Sequence, residues 1–210
     1  MTRALDVLVI ESRRRAGREA DEALAAAGHR IHRCYEDGAD EFPCRGLLDP
    51  GACPLDQGVD VALLVRSRPD PRPTPHESAV TCALRAQVPV VEVGDHPLDP
   101  YDPWIAARVG DGHDHVAIAD ACTAVVEERL DEQSRRIVDK LGPLLAALEV
   151  PPDHVACRIE YRDDRALVSL GLPAHVDDAA RHALAVRAAD ALRTTGAPAR
   201  ITDVTLQTIA

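Results

Sequence analysis

Three cysteines crowd one turn-rich stretch, Cys34-Tyr-Glu-Asp-Gly-Ala-Asp-Glu-Phe-Pro-Cys44-Arg-Gly-Leu-Leu-Asp-Pro-Gly-Ala-Cys53. Thiolates are preferred ligands of soft and borderline metals, and a bound metal would order a segment that has little else to hold it. Three thiolates leave a tetrahedral set one ligand short, and Cys82 or His32 is available as the fourth. The group taken up would then be zinc or an iron–sulfur cluster. The spacing contains no Cys-x-x-Cys knuckle, so two other uses stay open. Two of the three thiols can form a reversible disulfide, or all three can be small, half-buried hydrophobes in a compact loop. Cys122 and Cys157 fall on a helical pattern and on the inward side of an alternating strand, and are read as core residues.

A second polar cluster comprises Asp95, His96, Asp99, Asp102, Asp111, His113, Asp114 and His115. Carboxylates and imidazoles together can hold zinc or act as acid and base. This is the route by which the chain would be a metal-dependent enzyme. His113 and His115 are two residues apart and share a direction only in extended chain. The competing reading is a solvated, proline-rich loop. Gly-x-Ser-x-Gly, His-Glu-x-x-His and P-loop motifs are absent, and Ser12, Ser67 and Ser78 have no base beside them in the sequence.

Around these residues the chain alternates. Leu5 to Ile10, Val59 to Val65 and Val88 to Val93 are nearly continuous apolar runs, as in strands buried on both faces. Arg30 to Cys34 is a more polar strand. Helices are expected from Arg13 to Ala27, capped by Ser12 and closed by Gly28, and from Glu77 to Ala86, after the stiff run Pro69, Pro71, Pro73, Pro75. Val116 to Ile118 is read as a short last strand. A long helix then follows, capped by Asp120 and broken at Gly142-Pro143, with the apolar stripe Val126, Leu130, Ile137, Leu141 interrupted at Gln133-Ser134. This order implies a parallel, doubly wound sheet with right-handed crossovers. Ligands of such sheets bind beyond the carboxyl ends of the strands. Here those ends carry Glu11 and Ser12, Arg66 and Ser67, and Asp95 and His96. The first strand-to-helix turn has arginines where a dinucleotide site would have glycines.

On these residues, 5–130 resemble a receiver domain of two-component signalling. Glu11 follows the first strand, where receivers keep metal-binding acids, and the spacing in Asp60-Val-Ala-Leu-Leu-Val65-Arg-Ser-Arg-Pro69 from strand end to proline is receiver-like. The phosphoacceptor position of the family falls on Val65, a second acid after Glu11 is missing, and no lysine follows the last strand. The resemblance therefore implies a degenerate, or pseudo-, receiver that keeps the scaffold without the chemistry.

Beyond Pro151-Pro152 the pattern changes to a strand with Val155, Cys157, Ile159 and Tyr161 on one side, a turn at Asp163-Asp164, and a return strand from Ala166 to Leu172. A helix capped by Asp177 and closed by Gly196 precedes a final strand from Ile201 to Ile209. In element order this module is similar to the small domains of the alkaline-shock protein family and of cation-efflux C-termini, which implies association with another chain. The expected organisation is a flavodoxin- or receiver-like α/β domain (1–119) with a cysteine-bearing insert (34–58), connecting helices (120–150) and a small strand-strand-helix-strand α+β module (151–210).

Composition narrows the partners. The net charge of −11 over 210 residues lacks the basic face that phosphates require, which argues against nucleic acid and anionic membranes. No apolar run reaches the ~20 residues of a membrane span, and the run ending at Glu11 is too short for a secretory signal. The expectation is a cytoplasmic, non-catalytic regulatory or sensory protein. It would respond to metal or redox state through the cysteine loop and act on a protein partner or as a homodimer.

Overall fold

The computed structural model describes residues 3–35, 42–68, 70–94, 99–110, 113–162, 165–194 and 201–209. The chain divides into two compact units, Met1–Val126 and Glu127–Ala210. Pro151 and Pro152 fall inside the second unit, because the helix preceding them supplies that unit's core.

The first unit contains β1 (Asp6–Glu11), α1 (Arg18–Ala26), β2 (Arg30–His32), α2 (Arg45–Leu48), β3 (Val61–Val65), α3 (Ser78–Arg85), β4 (Val90–Val93) and β5 (Ile105–Val109). All five strands are parallel, in the order β2-β1-β3-β4-β5. The register sets Glu11 beside Val65 and Val65 beside Val93, so the carboxyl ends of the three central strands are level. These strands are buried almost throughout, and Leu8, Ile10, Ala62, Leu64 and Val90 pack with Ala79, Val80 and Ala83 of α3. Covering both sheet faces accounts for the unbroken apolar runs.

Three local expectations are corrected by the structure. Helix α1 starts at Arg18 rather than Arg13, and Ser12 does not cap it. The Glu11 carboxylate accepts hydrogen bonds from the backbone N–H groups of Arg15 (3.1 Å) and Gly17 (2.9 Å), which holds the intervening residues in a turn. Gly28, at φ +81°, ends the helix as expected. The last strand of the sheet is Ile105–Val109, not Val116–Ile118. Asp114 Oδ1 accepts from Ala117 N at 2.9 Å, so Asp114 rather than Asp120 opens the next helix, and Val116–Ile118 is its first turn.

That helix, α4 (His115–Ala147), runs for 33 residues and contains Pro143 without ending there. Ile137, Leu141 and Leu145 on either side of Gly142-Pro143 are fully buried, and tertiary packing outweighs the lost backbone hydrogen bond. The second unit continues with β6 (Ala156–Arg162), β7 (Arg165–Pro173), α5 (Asp178–Arg193) and β8 (Ile201–Ile209). They form a separate mixed sheet in which β6 and β7 are antiparallel and β7 and β8 parallel. Asp177 caps α5, accepting from Ala180 N at 2.8 Å; Asp163, Asp164 and Gly196 lie outside the described residues. The polar break in the α4 stripe is matched across the packing. Tyr161 OH donates to Gln133 Oε1 at 3.0 Å, and Ser134 meets the Cys157 thiol, which burial pushes up to about 11. Among the described residues, no helix is long and apolar enough to cross a membrane.

Candidate functional site

The chain between β2 and β3 brings its cysteines together through its backbone. Cys34 lies two residues past β2, and its carbonyl accepts from Arg45 N at 2.7 Å. Cys44 is the N-cap of α2, its carbonyl accepting from Leu47 N and Leu48 N at 3.0 and 3.2 Å. Cys53 precedes a 3-10 turn at Pro54–Gln57 and accepts from Asp56 N at 3.1 Å. Gly46 joins the two: a Cβ there would stand 2.8 Å from Cys53 Cβ and 3.5 Å from its Sγ, so only glycine lets α2 lie against Cys53.

Arg33, Tyr35, Arg45, Ala52 and Pro54 line a cavity of about 440 Å³ together with Ile31, His32 and Gln57. These residues flank the three cysteines in the chain, and Cys34 itself packs toward the cluster that holds Ala79, Val80 and Ala83 of α3. Cys82 sits on that helix. Burial pushes the Cys34 thiol up to about 12, and Cys53, Cys44 and Cys82 push in the same direction. Burial also raises Cys82, reinforced by Cys44 and Cys53 and opposed by Arg85. Of the two candidate fourth residues, Cys82 stands with the other thiols. His32 is held by Asp6 instead, with Nε2 2.7 Å from Oδ1. All four cysteines are unpaired. Among the described residues, no three His, Cys, Asp or Glu side chains stand ready at metal-binding geometry.

The carboxyl ends of β1 and β3 are closed by the protein's own groups. Glu11 is buried and also accepts from Tyr35 OH at 3.1 Å. Burial raises the Tyr35 hydroxyl's pKa, and the Glu11 charge adds to it. Ser12 N donates to Val65 O (2.9 Å), Ser12 Oγ accepts from Ser67 N (3.3 Å), and Ser12 O accepts from Thr74 Oγ1 (2.8 Å). The guanidinium of Arg66 has no solvent exposure and donates to Glu77 Oε1 (2.8 Å), Asp70 O (2.6 Å) and Asp99 Oδ1 (3.5 Å). Glu77 Oε2 in turn accepts from Thr74 N at 2.8 Å, completing a capping box. The Thr74-x-x-Glu77 signature was the readable trace of this lock.

A neighbouring network was not foreseen. Glu92 of β4 lies opposite Arg108 of β5, and its Oε2 accepts from Arg108 Nε at 2.8 Å. Arg108 also reaches Asp99 Oδ2 at 2.7 Å and Asp102 Oδ1 at 2.6 Å. Glu92 Oε1 is buried without a donor among the described residues. Burial raises the Glu92 carboxyl, Arg108 opposes the rise, and the Asp99 charge reinforces it. Burial disfavours the Asp99 charge as well, but the Tyr101 N–H and Arg108 hold that carboxyl below its usual range. A proton on Glu92 Oε1 directed at Asp99 satisfies both groups. Glu92 therefore stabilises the fold at low pH and loses that contribution as pH rises through its raised value. Asp99 acts oppositely, as pH falls below the ordinary aspartate range. Glu92→Gln is expected to flatten the decline in stability as pH rises above the ordinary glutamate range, read as urea midpoints below and above it. An unchanged slope would refute the shared proton.

Of the second polar cluster, Asp99 and Asp102 meet at Arg108, and the described histidines stand apart from them. His113 is exposed, and its Nδ1 lies 2.6 Å from Glu19 Oε2. His115 is exposed at the start of α4, while Asp95 and His96 lie outside the described residues. Set against family models, curated proteins and solved structures, the chain finds no significant match in any of the three.

Proposed function

We propose that this chain is a cytoplasmic, non-catalytic regulatory protein. Its first unit is a receiver-like scaffold without a phosphoacceptor, and its signal enters through the thiol corner formed by Cys34, Cys44, Cys53 and Cys82. The strand order β2-β1-β3-β4-β5 is that of flavodoxin-like sheets, which supports the scaffold. The acceptor position at the end of β3 is the buried Val65, and the one acid beside it, Glu11, is engaged by two backbone amides and a tyrosine. The observation that carries the reading is the approach of Cys82 of α3 to the three cysteines of the connection between β2 and β3. Its output is contact with a protein, either a partner or a second copy, since the chain's acidity disfavours nucleic acid and anionic lipid.

Two measurements bear on this. Acetyl phosphate is expected to leave the chain unlabelled by intact-mass analysis; a stable acyl-phosphate near Glu11 would overturn the scaffold reading. The reduced protein, exposed separately to Zn²⁺ and to peroxide, should change its protease sensitivity between residues 42 and 58 with at least one of them. No change with either would overturn thiol sensing.

A further inference from the structure

We propose that β8 is the edge through which the chain pairs with a second copy of itself. The two β8 strands run antiparallel about a two-fold axis at Thr205 and join two three-stranded sheets into one. This rests on the reading that the output is contact with a protein, and it names the occupant and the surface.

The order β6-β7-β8 leaves two edges, and they are unlike. β6 carries Arg158, Glu160 and Arg162 in seven residues, with Glu160 Oε1 3.6 Å from Arg158 and Oε2 2.9 Å from Arg162. Charge of that density is one way proteins keep a sheet edge from pairing. β8 has nine residues, no proline, glycine or lysine, and one charge, Asp203, which already meets Arg165 of β7 at 3.1 Å. It matches β7 residue for residue from Ile201 to Ile209 without a bulge. Among the described residues, no backbone group outside β7 bonds to it, so a row of donors and acceptors faces away from β7.

What fits that row is written in the strand itself. Ile201-Thr-Asp-Val-Thr205-Leu-Gln-Thr-Ile209 reads almost alike in both directions. Antiparallel pairing centred on Thr205 sets Ile201 opposite Ile209, Thr202 opposite Thr208 and Val204 opposite Leu206. It also sets Asp203 opposite Gln207, whose amide can donate to the carboxylate. Residues directly opposite share a face. Val204 and Leu206, half-buried and packed against the core of Ile159, Val168 and Leu170, therefore continue that core into its twin. On the other face Ile201, 39% exposed, gains Ile209 of the second copy. Slipping by one residue turns Val204 and Leu206 to the wrong face, and slipping by two parts the isoleucines. Centring on Asp203 sets like charges face to face. The same strand serves both sides of the contact, so the assembly closes at two copies, and the charged β6 edge stops further growth.

The test is sedimentation velocity on the full chain from low to high micromolar concentration, in reducing buffer so that thiols cannot link copies, with hydrogen exchange measured across the transition. The wild type should pass from 22.6 kDa to twice that mass, and exchange should slow on assembly in residues 201–209 and not in β6. Thr205 is exposed and lies opposite itself, so Thr205→Lys brings two ammonium groups together without removing a buried contact of the single chain. It should weaken association about tenfold or more. Mixing Thr205→Lys with Thr205→Glu should restore it, as pairing centred on this residue requires. A wild type that stays monomeric overturns the inference and leaves the edge to a strand of a different protein, with the thiol reading untouched. A dimer whose exchange in residues 201–209 does not follow assembly places self-contact elsewhere and overturns it as well, whether or not the variants fold. So does a dimer that Thr205→Lys does not weaken.

Discussion

Arg66→Ala is expected to lower the unfolding free energy by about 3–5 kcal/mol, the range for removing one member of a buried ion pair. The loss does not come from deleting a strong attraction. It comes from what stays behind: Glu77, whose side chain is 0% exposed, would keep its charge without its cation, while Asp99 would retain Arg108 at 2.7 Å. The Asp70 carbonyl would also lose a 2.6 Å donor. Arg66→Lys should recover only part of the deficit, since one ammonium cannot span three acceptors that a planar guanidinium reaches at once. Urea unfolding followed through Trp104, the single tryptophan and part of the first unit, gives the measurement. A deficit under about 1 kcal/mol, the value of an exposed pair, would mean that water reaches this ion pair.

The second large effect is expected at Leu141. Its side chain is fully buried in the core of the second unit with Ile137, Leu145, Ile159, Leu184 and Leu192. Truncation to alanine removes that burial and leaves a cavity, at a cost of about 2–5 kcal/mol. Because Leu141 precedes Gly142-Pro143, the variant also asks whether packing is what carries α4 through the proline. If so, hydrogen exchange should accelerate from residue 144 to 147 more than in the strands β6 and β7. Uniform acceleration across the unit would show that the helix passes Pro143 on local grounds.

The central strands were legible because burial on both faces forces unbroken apolar runs, and Leu63 or Val91 can hardly be read otherwise. Strand β5 was not, since Ala106 and Arg108 are exposed, Ile105 and Ala107 half-buried and only Val109 buried, so an edge strand looked like loop. The start of α4 was misplaced for a different reason. Val116 and Ile118 read as an apolar pair two apart, whereas Asp114 caps a helix that turns Val116 outward, 70% exposed, and Ile118 inward. Gly142-Pro143 was given its local meaning, and three leucine and isoleucine contacts in the core outweighed it. At the site, the three loop cysteines declared themselves by density. Cys82, inside an ordinary helix, had no local mark distinguishing it from His32 as a fourth residue, and only the parallel order of β1, β3 and β4 brings α3 to the same corner. The Arg66–Glu77–Asp99 lock joins residues 33 positions apart at its widest, a separation no periodicity reports.

Glu11 has a consequence for any anion that approaches the first turn of the sheet. Backbone amides at the end of a parallel strand are where phosphates commonly settle, and in this protein two of them, from Arg15 and Gly17, already hold a carboxylate. The occupant is tethered to β1, so its local concentration is fixed by the chain and does not fall on dilution. A free phosphate must outcompete a ligand that never leaves, while metabolite levels in solution rise and fall around it. The turn is thereby insulated from the cell's phosphate pool, as if permanently inhibited by its own side chain.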